Sequence, residues 1–155
     1  MKLRIISVGH KMPDWVNQAC QDYLKRMPRE MQLDIVEIKP DKRAAGKNSQ
    51  TVRQAEAKRI LEACGQDYRV VLDEHGQQIS TQQLATQMQD WQQLGKNVSL
   101  IIGGADGLDA SIIASANFVW GLSKLTLPHA MVRVLVSEQI YRAWSIIQQH
   151  PYHRE

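Results

Sequence analysis

Three stretches of this chain carry residue types and spacings that can do chemistry. The first is Ile101-Ile102-Gly103-Gly104-Ala105-Asp106-Gly107-Leu108. Glycines directly after an apolar run let a ligand approach the backbone, because no side chain fills the space. Their spacing is not GxGxxG and no GK[ST] follows, so this is neither a dinucleotide fingerprint nor a phosphate loop. An adenosine-type cofactor and a simple tight turn both fit it. The second stretch is Leu122-Ser123-Lys124-Leu125-Thr126-Leu127-Pro128-His129. An apolar loop with interspersed hydroxyls can wall a flat ligand while its free backbone groups bind ring nitrogens. A ligand or a partner subunit would cover it. The third is the end of the chain, His150-Pro151-Tyr152-His153-Arg154-Glu155. Chain ends are normally frayed and polar, but here Tyr152 can stack on a base and Arg154 can bind a phosphate.

For proton transfer the candidates are Glu138, His129, Asp106 and the tyrosines. A base acting on a uracil-type N–H must lie within reach of it, or a nearby cation must make that proton more acidic. Arg142 and Arg154 are suited to the second role, by stabilising the anion. Glu138 and Arg142 also stand four apart on one helix face, which suits a structural ion pair equally well. His150 and His153 do not make a metal site, because Pro151 breaks their alignment and no cysteine or carboxylate stands close enough to complete a ligand set.

The elements that must position these residues alternate along the 155-residue chain. Apolar, β-branched runs predict strands at 3–8, 33–38, 68–72, 98–102 and 118–120. Helical periodicity predicts helices starting at Pro13-Asp14, over 51–63, from a cap at Ser80 or Thr81 to Gly95, and over 130–149. Asp73-Glu74-His75-Gly76 reads as a turn. Strands alternating with helices predict an α/β sandwich around a mostly parallel sheet. The last helix is apolar on more than one side, which requires cover on more than one side. A subunit interface and a central position within its own domain both supply that cover.

A hydrophobic content of 43% and a charged content of 23% are ordinary for a soluble domain. No apolar run reaches the roughly 18–20 residues needed to span a bilayer. The opening strand is too short and too broken by charge to be a signal peptide. Cys20 and Cys64 are far apart in sequence and read as buried thiols in a reducing compartment. The net charge of +3 is mild, but Lys39, Lys42, Arg43, Lys47, Arg53, Lys58 and Arg59 concentrate it. That stretch is either a phosphate-facing surface or a solvated loop and helix face.

The opening VGHKMPDW, the IIGGADGL strand-loop and the run LSKLTLPHAMVRVLVSEQIYRAWSIIQQHPYHRE closely resemble the SPOUT superfamily of knotted methyltransferases. Within it, they resemble the family acting on large-subunit ribosomal RNA. The similarity spans the chain and is densest from Val98 to Glu155. It implies one SPOUT domain over 1–155, with a mostly parallel sheet, a C-terminal trefoil knot and a homodimeric, cytoplasmic enzyme. The implied reaction moves a methyl group from S-adenosyl-L-methionine to N3 of a pseudouridine in 23S ribosomal RNA, on the assembled ribosome. The resemblance implies a cofactor pocket of Leu72, Gly103, Leu122, Ser123, Lys124, Leu125, Thr126 and Leu127. On the substrate side it implies Glu138, Arg142, Tyr152, His153 and Arg154, with His129 nearby. A binding factor without catalysis, or an α/β enzyme using another nucleotide, are the competing expectations. Residues 39–59 and 73–80 depart most from the family pattern, which leaves the RNA footprint open.

Overall fold

The computed structural model of the chain describes residues 1–9, 11–41, 48–104 and 107–154. Asp106, an acid–base candidate, and Lys42, Arg43 and Lys47 of the basic stretch lie outside the described residues. The elements run β1 (Lys2–Val8), α1 (Asp14–Leu24), β2 (Gln32–Ile38), α2 (Ser49–Cys64), β3 (Tyr68–Gln77), α3 (Thr81–Leu94), β4 (Val98–Ile102), α4 (Ala110–Ser115), β5 (Phe118–Trp120) and α5 (His129–Ile147). The five strands form one sheet in the order β2-β1-β4-β3-β5, with every neighbouring pair parallel. This is the α/β sandwich that the alternating segments predict.

Strand alternation divides the core between the two faces of the sheet. Leu3, Ile5, Val70, Leu72, Leu100 and Ile102 point to one face and pack with Leu84, Met88 and Trp91 of α3 and Val136, Ile140 and Ala143 of α5. Ile6, Val8, Val71 and Ile101 point to the other, against Ala57, Ile60 and Cys64 of α2 and Ile112 of α4. The central strand β4 is buried along its whole length, so its apolar run has no polar side. Helix α5 lies between α1 and α3 on the first face. Both cysteines are free and buried.

Helix starts follow local chemistry. Ser80 caps α3 in a full capping box with Gln83, so Ser80 and not Thr81 is the cap. Asn48 caps α2 by accepting from the Thr51 N–H at 2.9 Å, so the helix begins at Ser49, two residues before the predicted start.

Two local expectations are corrected. The segment 73–76 is not a turn that ends the third strand. Leu72 and Gln77 both pair with Trp120, so the intervening residues bulge out of a strand that continues to Gln77. The last helix starts at His129 and ends at Ile147, short of Gln149. Gln149 takes a left-handed conformation with φ of 56°. The chain turn is closed by His150 N–H to the Ser145 carbonyl at 2.7 Å and Gln149 N–H to the Ile146 carbonyl at 3.1 Å. Those two bonds satisfy carbonyls that the helix end would leave open.

Candidate active site

The carboxyl ends of β3, β4 and β5 open into a cleft of about 270 Å³, where open α/β sheets hold their ligands. Leu72, Gly103, Leu122, Ser123, Leu125, Thr126 and Leu127 all line it. Lys124 belongs to the same loop, but it is exposed and is not part of the lining. Ile102, Gly104, Gly107 and Leu108 of the glycine motif and His129 add to the walls, and Asp73, Glu74, Trp120 and Val132, which lie outside the three motifs, complete them.

The loop 121–128 and the bulge of β3 meet at two glycines. A side chain on Gly121 would come within 2.5 Å of the Gly76 carbonyl oxygen, and one on Gly76 within 2.6 Å of the Trp120 backbone. This close approach fixes where the apolar loop leaves the sheet. At Gly103 a Cβ would meet the Leu108 side chain at 2.8 Å, so a glycine is required there for Leu108 to close the turn. Within the loop, Leu125 N–H donates to Ser123 Oγ at 2.9 Å. Asp73 and Glu74 are the cleft's carboxylates among the described residues, and Glu74 accepts from Thr126 Oγ1 at 3.4 Å.

Beneath the cleft lies a polar chain that runs from buried groups to the exposed Glu37. His129 opens α5, with Nδ1 at 2.5 Å from the Gly103 carbonyl oxygen and Nε2 at 2.8 Å from Ser7 Oγ. Ser7 Oγ also accepts from Arg133 Nη2 at 2.9 Å, and Arg133 Nη1 reaches Glu37 Oε1 at 3.3 Å. Arg133 is 1% exposed, so its charge is held inside the protein. Burial first, and the Arg133 charge after it, push the His129 pKa below the usual imidazole value, against the opposing pull of the Gly103 carbonyl.

The chain end folds back as a short helical turn over Pro151–Arg154. Tyr152 donates its hydroxyl to Glu138 Oε2 at 3.0 Å, and Arg142 Nε donates to the same oxygen at 2.9 Å. Glu138 Oε1 accepts from Gln139 Nε2 at 2.8 Å. With three donors on it, this carboxylate is arranged to orient its neighbours. The Tyr152 ring stands edge-on to Tyr141 at 4.7 Å, and the Arg142 guanidinium lies 4.9 Å from the Tyr152 ring centre. Burial and the hydrogen bonds of Tyr23 and Glu138 raise the Tyr152 phenol pKa far above its ordinary range, so it stays protonated. His153 is half-buried, while Arg154 is exposed.

The family model described as "Predicted SPOUT methyltransferase" matches residues 1–153. The chain belongs to the SPOUT methyltransferase family. A relative in Methylobacillus flagellatus, named ribosomal RNA large subunit methyltransferase H, is 66% identical over 100% of both chains. Relatives of the same name are 53% identical in Thiobacillus denitrificans, over 100% of both chains, and 50% identical in Paraburkholderia phymatum, over 99% of each. Among solved structures, a probable methylase family protein from Haemophilus influenzae has a TM-score of 0.59 at 16% identity, covering 97% of this chain and 69% of that one. A putative methylase family protein from Neisseria gonorrhoeae has a TM-score of 0.55 at 14% identity, covering 90% of this chain and 81% of that one. These two likenesses concern the fold alone.

In this SPOUT methyltransferase the sequence-predicted residues therefore form two groups. The loop, Leu72 and Gly103 meet at the cleft, with His129 on its wall. Glu138, Arg142 and Tyr152 meet at the chain end. Helix α5 separates the groups, because Glu138 lies nine residues beyond His129 and Arg142 thirteen. At about 1.5 Å per residue those intervals are roughly 14 and 20 Å. One face of α5 also stays open: Met131, Val134, Leu135 and Glu138 are half-buried or exposed. Trp15 at 52% and Leu125 at 72% exposure add apolar surface elsewhere. In the basic stretch, Arg59 is spent internally on the Lys39 carbonyl and Asp41, whereas Lys58 is exposed. Among the described residues there is no cluster of metal-ligating side chains, and no helix is long and apolar enough to cross a membrane.

Proposed function

We propose that this SPOUT methyltransferase acts on large-subunit ribosomal RNA, moving a methyl group from S-adenosyl-L-methionine to N3 of a pseudouridine. In this reading it is one knotted domain over 1–155, working in the cytoplasm as a homodimer on the assembled ribosome. The observation that carries the proposal is the convergence of Leu72, Gly103 and five residues of the 122–127 loop around one cleft. Relatives matching the full chain bear the name of a ribosomal RNA methyltransferase, which supports the choice of substrate.

The residues present fit such a cofactor. Apolar walls from Leu72, Leu122, Leu125 and Leu127 suit a flat adenine, and the bare Gly103 backbone allows close approach. Asp73 and Glu74 supply negative charge in a cleft that must hold a cationic sulfonium. When bound, S-adenosyl-L-methionine provides an already activated methyl group, so the protein's work is positioning. Arg142 or Arg154 holds the deprotonated base, with Tyr152 orienting it and Glu138 fixing the orientation of Arg142 and Tyr152.

The separation of cleft and chain end along α5 supports a composite site, in which one subunit's chain end serves its partner's cleft. Mixed dimers of a Gly103→Val subunit and a Tyr152→Ala subunit then regain methyl transfer that neither parent has. Mixed dimers that stay inactive would mean each subunit is self-contained. The reaction itself is tested by transfer of labelled methyl to whole ribosomes, free 23S RNA and separated subunits, each with and without pseudouridine. Label that requires pseudouridine supports the proposal. No label on any of these, with cofactor binding intact, points to a binding factor or another substrate.

A further inference from the structure

His129 faces the cleft, and the obvious role for a half-buried imidazole there is the acid or base of the reaction. Its hydrogen bonds argue otherwise. A carbonyl oxygen only accepts, so the 2.5 Å contact with Gly103 places the ring hydrogen on Nδ1. Nε2 is then the lone-pair nitrogen, and the Ser7 hydroxyl donates into it at 2.8 Å. Ser7 is turned that way because its oxygen already accepts from Arg133 at 2.9 Å, and a guanidinium never accepts. Each member of the chain fixes the direction of the next. A proton added at Nε2 would displace the Ser7 hydrogen, and would set a second cation beside the buried Arg133. Among the described residues, Arg133 is the charge that acts on the ring; Glu37 is paired with that guanidinium, and Asp73 and Glu74 stand on the wall of the same cleft.

The end of the chain of bonds is a backbone atom of the glycine turn. Leu108 closes on Gly103 from one side, at a distance no Cβ would permit. His129 holds its carbonyl from another. We propose that His129 is a fixed hydrogen-bond donor to Gly103, and that Arg133, acting through Ser7 and His129, is a positioning residue for the turn that walls the cofactor cleft. This rests on reading the cleft as the S-adenosyl-L-methionine site. Arg133 touches neither cofactor nor RNA, yet its loss weakens cofactor binding because the Gly103–Gly104 peptide is then free to rotate into the space the cofactor needs.

The test compares isosteres in the full-length protein. His129→Asn places an amide N–H where Nδ1 was, whereas His129→Gln reaches the position of Nε2. Titration calorimetry with S-adenosyl-L-methionine should show His129→Ala and His129→Gln weakened by about five- to tenfold, the worth of one hydrogen bond. His129→Asn should recover most of that loss. Arg133→Met should weaken binding in the same direction, and His129→Ala with Arg133→Met should bind no worse than His129→Ala alone. The KM for RNA substrate should not change in any of them. Nitrogen-15 spectra of the wild-type imidazole should show a neutral ring protonated at Nδ1. A ring protonated at Nε2 would overturn the proposal. So would Asn and Gln variants that both lose turnover while binding cofactor normally, since that marks His129 as an acid or base. If Arg133→Met does not fold, the isostere pair and the wild-type spectra decide the question. Failure of the wild type to bind S-adenosyl-L-methionine would sink the cofactor reading, while the spectra would still report on the Gly103 bond.

Discussion

Replacing Gly121 by alanine should damage both stability and cofactor binding, and the reason can be worked from backbone distances. The added methyl would sit 2.5 Å from the Gly76 carbonyl oxygen and 3.0 Å from its carbon. Both are main-chain atoms, so no side chain can rotate away. Ordinary contact begins at about 3.5 Å, so the β3 bulge and the loop must part by roughly 1 Å. The Gly121 N–H bond to the Gln77 carbonyl, 3.0 Å long, crosses that junction and would stretch with it. Overpacking of this kind costs about 1–3 kcal/mol, and a weakened hydrogen bond adds about 1 kcal/mol. Urea unfolding at fixed protein concentration should therefore place Gly121→Ala about 2–4 kcal/mol below the wild type. Gly76→Ala should cost a similar amount, since its methyl would meet Trp120 and Gly121 backbone atoms at 2.6 and 2.7 Å. The double variant should cost less than the two single costs added together, because one displacement relieves both clashes. S-adenosyl-L-methionine affinity should fall in all three, as the shift moves residues 122–127. A Gly121→Ala protein within about 0.5 kcal/mol of the wild type would refute the argument, because such surroundings would be far softer than close-packed backbone.

Tyr152→Phe removes the hydroxyl that Glu138 holds, and should lower stability by about 1 kcal/mol in paired denaturation curves. Glu138→Ala should cost more, because it also releases Arg142 and Gln139. Gln149→Gly should raise stability by about 0.5–1 kcal/mol, since a glycine carries no side-chain penalty in the left-handed conformation found there. The His129 pKa is depressed on folding, so the unfolded chain binds its proton first as pH falls. Stability from this group is full above its ordinary value of 6.5 and declines below it. Melting temperatures measured from pH 8 to about pH 5 should fall more steeply for the wild type than for His129→Asn.

The strands and helices were legible because each followed a local rule. The apolar run 98–102 has no polar face and becomes the buried central strand. The serine at position 80, three residues before Gln83, becomes a capping box. The loop 122–127 was legible as the wall of a cleft because its residues are contiguous, and contiguity is what a motif records. Lys124 shows the limit of that signal, since a motif cannot say which of its side chains turns outward. Asp73, Glu74, Trp120 and Val132 line the same cleft from three separate elements, and only tertiary packing brings them together. The bulge at 73–76 has the composition of a turn, and remains in the strand because Trp120 pairs on both sides of it. Gln149 adopts a conformation that usually announces itself with glycine, so the helix end lacked its signal.

Ser7 and Arg133 were missed for a different reason. Each has a polar side chain inside an apolar run, Ser7 between Ile6 and Val8 and Arg133 between Val132 and Val134. Such a residue in a strand or helix is usually read as a solvent-facing position. Alternation already contradicted that reading for Ser7, which shares its face with Leu3 and Ile5 and is therefore committed to the core beneath α5. A serine there needs partners, and α5 supplies two, the His129 ring and the charged Arg133 side chain. The same helix also explains why the sequence could name both groups of candidate residues without showing how far apart they lie. His129 and Arg142 lie on one rigid rod, about 20 Å apart, and no rearrangement that keeps α5 intact brings them together. A cleft at one end and a basic, aromatic cluster towards the other can serve one methyl transfer only if something outside the rod spans them. The half-exposed apolar face of α5 between the two groups, Met131, Val134 and Leu135, is the surface that the proposed homodimer would cover.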